Sequence, residues 1–129
     1  ADGDSTRPRL SSDGRTVVFA SAATNLIAVP DDNSVTDGFV HDRLVAETVL
    51  ISTGSGGVGN GDSLQPAITA DGRVVVFTSS AANLVPGDSN GWSDVFARDL
   101  QMSQTTRVSL ADGEAQPSGA AVYLSLIIR

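Results

Sequence analysis

Two stretches of this chain set oxygen-bearing side chains at alternating positions: Asp31-x-Asn33-x-Val35-x-Asp37, and again Asp88-x-Asn90-x-Trp92-x-Asp94. Oxygen donors at relative positions 1, 3 and 7, with a backbone carbonyl at 5, are what a Ca²⁺-binding loop offers. Asp42 and Asp99 fall at position 12 of the two stretches, where an EF-hand carries its bidentate carboxylate. Residues 94–99, however, read as a strand, and five strand steps at about 3.3 Å each carry Asp99 roughly 16 Å from Asp94. The candidate metal set is therefore Asp31, Asn33 and Asp37 in one stretch and Asp88, Asn90 and Asp94 in the other, with carbonyls and water completing the shell. The competing reading is that these Asp and Asn residues form Asx-turns and cap the loop backbone.

Nothing else in the chain points to catalysis. His41 is the only histidine, so a Ser-His-Asp triad would have to use it. No serine stands in a Gly-x-Ser-x-Gly setting, and Gly54-Ser55-Gly56 misses that spacing. His41 reads as an ordinary exposed strand residue, and no catalytic residue is assigned. The run Gly54-Ser55-Gly56-Gly57-Val58-Gly59-Asn60-Gly61 contains a fragment of a phosphate-loop fingerprint, but no Lys-Ser/Thr follows it. It reads as a flexible connection. Trp92 is either a stacking platform for a sugar or peptide partner or a cover for the edge of its own structural unit.

Composition narrows the partners. The chain has 129 residues, of which 40% are hydrophobic, enough for one ordinary domain with a modest core. Its net charge is −7, and the eight basic residues are all arginines, scattered without a cluster. A nucleic-acid surface needs gathered cations, so none is expected. There is no cysteine, which excludes disulfides, thiolate metal sites and thiol catalysis. No apolar run approaches the length of a membrane span.

The elements that must position these residues come in a repeat. Pro8 to Ser21 recurs 58 residues later as Pro66 to Ser79, and from Pro8 to Ile27 eleven of twenty positions are identical to their counterparts. After one extra residue in the first copy the offset becomes 57, so that Asp37–Asp42 answers Asp94–Asp99 and Thr48–Ser52 answers Thr105–Ser109. A third copy opens at Ala111-Asp112-Gly113, resembling Ala1-Asp2-Gly3, and then loses the pattern. Each unit reads as four strands. The first is short and ends in an Asp-Gly turn. The others are Val17–Phe19, Gly38–Val40 and Val49–Ile51 in the first unit, and Val75–Phe77, Val95–Ala97 and Thr106–Val108 in the second. The Asp13-Gly14-Arg15 and Asp71-Gly72-Arg73 turns are expected to be structural, each arginine pairing with a carboxylate on the adjacent strand. No sustained 3.6-residue period occurs, so helix content should be minimal.

Four short strands at a period of about 40 to 60 residues suit a propeller blade. The string Pro-x-x-Ser/Thr-x-Asp-Gly-Arg-x-Val-Val-Phe-x-Ser resembles the PD40 (WD40-like) repeat of TolB-type β-propellers, over roughly residues 5–110. The resemblance implies an all-β fold of four-stranded antiparallel propeller blades: one in residues 1–58, a second in 59–110, and a partial third repeat or strand-exchange tail in 111–129. It also implies a periplasmic or extracellular protein. A blade must pack both faces on neighbours, so the ring is completed by oligomerisation or within a longer chain. The expected function is a non-catalytic module for binding or assembly, calcium-stabilised if the Asp/Asn loops bind Ca²⁺, with a homo-oligomer and a protein or carbohydrate ligand as partners. The alternative is a propeller-type hydrolase with its site in the central channel.

Overall fold

The computed structural model describes residues 1–28, 33–87 and 92–109. Among these the chain is all-β, without helix, and its strands run β1 (Ser5–Leu10), β2 (Thr16–Ser21), β3 (Asp37–Asp42), β4 (Glu47–Leu50), β5 (Thr53–Gly54), β6 (Gly57–Val58), β7 (Ser63–Ile68), β8 (Val74–Ser79), β9 (Asp94–Asp99) and β10 (Gln104–Arg107). Strands β1 to β4 form one antiparallel sheet in chain order, β7 to β10 form a second, and β5 pairs with β6. The two larger sheets are the two sequence repeats. Residues 111–129, with the expected partial third repeat, lie outside the described residues, as do Asp31, Asp88 and Asn90.

The turn foreseen from Asp-Gly joins the first two strands of each sheet. The Asp13 carboxylate accepts from the Ser11 hydroxyl (2.7 Å) and the Arg15 N–H (2.9 Å), and Gly14 takes the positive φ of 72°. Asp71 does the same with Thr69 (2.6 Å) and Arg73 (3.0 Å). The turn thus closes on a side-chain acceptor as well as on glycine. The first strands are not short: β1 and β7 have six residues each. Each carries a bulge where the register shifts, with Arg7 (φ 55°) and Gln65 (φ 54°) immediately before Pro8 and Pro66. Proline has no N–H for the ladder, so pairing breaks there without losing a donor. The fourth strands start and end earlier than expected. Ile51 and Val108 lie past their ends, donating instead to the Gly38 (2.8 Å) and Val95 (2.9 Å) carbonyls.

Strand parity decides how the sheets meet. Cross-strand partners share a face, so Val18, Ala20 and Val40 lie on one face of the first sheet and Val17, Phe19, Phe39 and His41 on the other. Val18, Val40 and Ile51 join Val75, Phe77, Phe96, Ala81 and Leu84 in one hydrophobic core. One face of the first sheet is therefore packed on the opposite kind of face of the second. The burial of repeat counterparts reverses accordingly. Val18 and Ala20 are buried where Val76 and Thr78 are half-buried, and Val17 and Phe19 are half-buried where Val75 and Phe77 are buried. Within each sheet a stacked aromatic pair, Phe19–Phe39 and Phe77–Phe96, sits at 5.8 Å between ring centroids.

The glycine-rich run is not a flexible connection. It folds into the β5–β6 hairpin, seated on the loop that follows β8. The Ser55 and Gly56 N–H groups donate to the Leu84 and Asn83 carbonyls at 3.1 Å each, and the Asn83 amide donates to the Val58 carbonyl at 2.8 Å. A Cβ at Gly54 would overlap the Leu84 carbonyl oxygen. Glycine serves here for close approach of two backbones, not for mobility.

Candidate functional site

The acidic stretches come first. Asp37 opens β3, fully buried, with its two oxygens held by different donors: the Ser52 hydroxyl at 2.6 Å and the Asn33 amide at 2.8 Å. The Asn33 amide also donates to the Gly59 carbonyl (3.0 Å), and its oxygen accepts from the Val35 N–H (3.1 Å). Asn33 and Asp37 are thus brought together, but through an N–H···O bond. In this arrangement Asn33 presents nitrogen, not oxygen, to the carboxylate, which does not fit a shared cation. The geometry is the Asx-turn of the competing reading, extended into a tie between the loop and the start of the second unit. Asp94 is placed like Asp37 and accepts from Ser109 at 2.9 Å, with the Arg107 guanidinium 3.8 Å from its other oxygen. Ser52 and Ser109 are repeat counterparts, and each also accepts the N–H that follows its aspartate, from Gly38 (3.1 Å) or Val95 (3.0 Å). The repeat contained that signal. Among the described residues no three His, Cys, Asp or Glu side chains gather as a metal site.

A second candidate is a cleft of about 420 Å³ lined by both sheets, including Arg15, Asp42, Arg73, Arg98, Val49 and Leu100. Two of its arginines are matched to carboxylates. Arg15 holds Asp42 through Nε and Nη2, the shortest contact being 2.6 Å. Arg73 holds Asp99 in the same way at 2.9 Å. Each arginine does pair with a carboxylate on the adjacent strand. The Arg15 hydrogen bond pushes the Asp42 carboxyl down to about 2. Burial pushes Asp99 upward, but Arg73 and the Met102 and Gln101 N–H groups outweigh it and leave its pKa below the ordinary range. Asp13 and Asp71 are lowered too, Asp13 mainly by the Arg15 N–H and Asp71 mainly by the Thr69 hydroxyl. These four aspartates are all held in the ionised form, whereas a general acid needs a carboxyl raised toward neutral pH.

His41 contacts Thr48, with Nδ1 and Oγ1 2.8 Å apart. Its counterpart Arg98 makes the matching bond to Thr105 (2.9 Å) and a further one to the Thr53 carbonyl (3.3 Å). Half-burial of Arg98 lowers its pKa through loss of hydration. Imidazole and guanidinium therefore fill one structural slot, a cation or ring capped by a threonine hydroxyl. No serine or carboxylate is hydrogen-bonded to His41 among the described residues, so no triad forms there. Trp92 is 77% exposed, so most of its ring lies outside the packing of its own sheet.

Sequence reasoning missed one set of ties. The Thr36 N–H donates to the Asp62 carboxylate at 2.8 Å, and the Ser63 N–H donates back to the Thr36 carbonyl at 2.7 Å. This reciprocal pair joins the lead-in to β3 of the first unit to the start of β7 in the second.

Comparison with protein-family models and with curated proteins finds no match to this chain. No helix among the described residues is long and apolar enough to cross a membrane.

Proposed function

We propose that this chain is a non-catalytic β-propeller module for binding and assembly, its four-stranded sheets acting as blades. The observation that carries the reading is the face-on-face packing of two repeat-equivalent sheets through one shared core. Such packing uses opposite faces of the same unit, so it can be continued indefinitely at either end. The resemblance of Pro8–Ser21 and Pro66–Ser79 to the PD40 repeat supports it, and with that resemblance comes a periplasmic or extracellular location. The Arg15–Asp42 and Arg73–Asp99 pairs in the cleft and the His41–Thr48 contact offer no carboxyl set beside a base, which favours binding over hydrolysis. Exposed Trp92 is a platform for a sugar ring or a peptide side chain.

Two measurements test the reading. Val18→Asp places an unpaired charge in the core between the sheets. Both sheets are expected to be lost together, in one transition followed by circular dichroism and by Phe and Trp signals. Survival of half the strand signal would mean that the units do not depend on each other. The wild-type chain and His41→Ala are then assayed on chromogenic esters, glycosides and phosphates. Turnover by the wild type that disappears in the variant would replace this reading with the hydrolase.

A further inference from the structure

The link that joins the two sheets has an unused half at each end of the molecule. Asp62 and Ser63, which clamp Thr36, have repeat counterparts in Asp4 and Ser5, and the counterpart of Thr36 is Ser93. The Asp4 carboxylate is exposed and makes no hydrogen bond or ion pair among the described residues; the Ser93 N–H and carbonyl likewise have no partner there. The backbone around Asp4 is already in the linking geometry. Its carbonyl accepts from the Ala22 N–H at 3.0 Å, just as the Asp62 carbonyl accepts from the Ser80 N–H at 3.0 Å.

The surfaces beside these half-links are unmatched in the same sense. Strand β1 is exposed along its whole length, whereas Ser63 and Pro66 of β7 are buried. Val17 and Phe19 stand half-buried on the face whose counterparts, Val75 and Phe77, are buried against the first sheet. At the other end Val76 and Thr78 stand half-buried on the face whose counterparts, Val18 and Ala20, are buried against the second. One end of the molecule thus repeats the shape that its own interior accepts at the other end.

We infer that a second copy of this chain docks head-to-tail, with its Asp4 and Ser5 clamping Ser93 of the first and its Val17/Phe19 face covering the Val76/Thr78 face. The interface continues the one inside the chain. Asp4 accepts the Ser93 N–H as Asp62 accepts that of Thr36, and the Ser5 N–H reaches the Ser93 carbonyl. One in-chain bond has no full equivalent. Ser12 reaches the Ala70 carbonyl with both its hydroxyl (2.9 Å) and its N–H (3.3 Å), whereas Ala70 could offer only its N–H to Ser12 of the next copy. The contact between copies is therefore weaker than the contact within one. It is heterologous, so it closes a ring when the rotation allows. This inference rests on the propeller reading, under which about four to eight blades correspond to two, three or four copies.

The test is the solution mass of the full chain by light scattering and sedimentation, from low micromolar to near-millimolar concentration. Wild type is expected to reach a closed multiple of 13.2 kDa that does not grow further. Asp4→Ala should weaken association about tenfold, the loss of one hydrogen bond to a charged acceptor, with the melting of the single chain unchanged. Asp62→Ala should instead lower that melting temperature, because its bond lies within the chain. Phe19→Asp, at a half-buried side chain stacked on Phe39, is the second variant and should leave the chain monomeric with its strand signal intact. A wild type that stays monomeric throughout, or an association indifferent to both Asp4→Ala and Phe19→Asp, overturns the inference. The propeller reading would survive either result if Val18→Asp still abolishes both sheets together.

Discussion

Arg73 grips a buried carboxylate, Asp99, in the pairing that Arg15 makes with the more exposed Asp42. The geometry is shared, one strand-end arginine gripping the last residue of the next strand, but the Asp99 side chain is fully buried and that of Asp42 is 27% exposed. Asp99 also accepts the Gln101 and Met102 N–H groups at 2.9 Å each. Removing Asp99 leaves the Arg73 guanidinium to solvent, since that side chain is 38% exposed, and the main loss is the acceptor of the Gln101 and Met102 N–H groups. Asp99→Ala is expected to cost about 2 kcal/mol of stability, read as the shift in urea midpoint at constant slope. Asp42→Ala should move the midpoint much less. Equal shifts would mean that the burial difference has no energetic weight.

Acid should destabilise the fold through the same carboxylates. The folded pKa of Asp42 is about 2, below its ordinary value of 3.8, and those of Asp2, Asp13, Asp71 and Asp99 are also lowered. A depressed carboxyl contributes stability that is present above its unfolded pKa and lost as pH falls through the folded one. The melting temperature is therefore expected to be flat near neutrality and to fall between about pH 4 and pH 2. Asp42→Asn should make that fall shallower. A melting temperature that rises on acidification would contradict the assigned pairs.

Much of the fold was legible because the chain states it twice. The β-branched and aromatic runs around Phe19 and Phe77 fall on β2 and β8, and the Arg15–Asp42 and Arg73–Asp99 pairs follow from strand adjacency. Local patterns could not show non-local ties. The glycine run reads as loose when only its composition is visible, and its purpose appears once Asn83 and Leu84 lie beneath it. The same holds for the Asn-Leu doublets. Asn25 accepts from the Asp2 N–H and Asn83 from the Asn60 N–H, at 3.0 Å each, so both asparagines anchor the chain just ahead of β1 and β7. Which face of each sheet is packed was not legible, because a face that is buried in one unit and half-buried in the other has nearly the same sequence in both.

Gly54 and Gly57 should respond differently to alanine. A Cβ at Gly54 would meet the Leu84 backbone, which cannot move aside as a flexible side chain could. At Gly57, φ is 94° and the space is open, so only backbone strain opposes a side chain. Gly54→Ala is expected to lift the hairpin from the loop and cost at least about 2 kcal/mol. Gly57→Ala should cost about 1 kcal/mol. Thermal melts of the two variants decide it, and amide exchange at Ser55 and Gly56 should accelerate more in Gly54→Ala. If both variants melt like wild type, the hairpin is not part of the cooperative fold.

Calcium should leave the melting temperature of the wild-type chain unchanged. The two described members of the first acidic stretch already satisfy one another, Asn33 donating to Asp37 at 2.8 Å and Ser52 covering the other carboxylate oxygen at 2.6 Å. To take a cation, the Asn33 amide would have to turn over, breaking its bonds to Asp37, Val35 and Gly59, and Asp37 would have to reach a shell from full burial. A ligand that binds only the folded state raises its stability in proportion to the logarithm of ligand concentration over Kd. Melts in millimolar Ca²⁺ and in chelator are therefore expected to coincide. Asn33→Ala should lower the melting temperature in both buffers alike, because it removes hydrogen bonds made within the chain to Asp37, Gly59 and Val35. A rise with Ca²⁺ that vanishes in Asn33→Ala and in Asp37→Asn would show instead that the loop rearranges around the ion, with Asp31, Asn33 and Asp37 as its ligands.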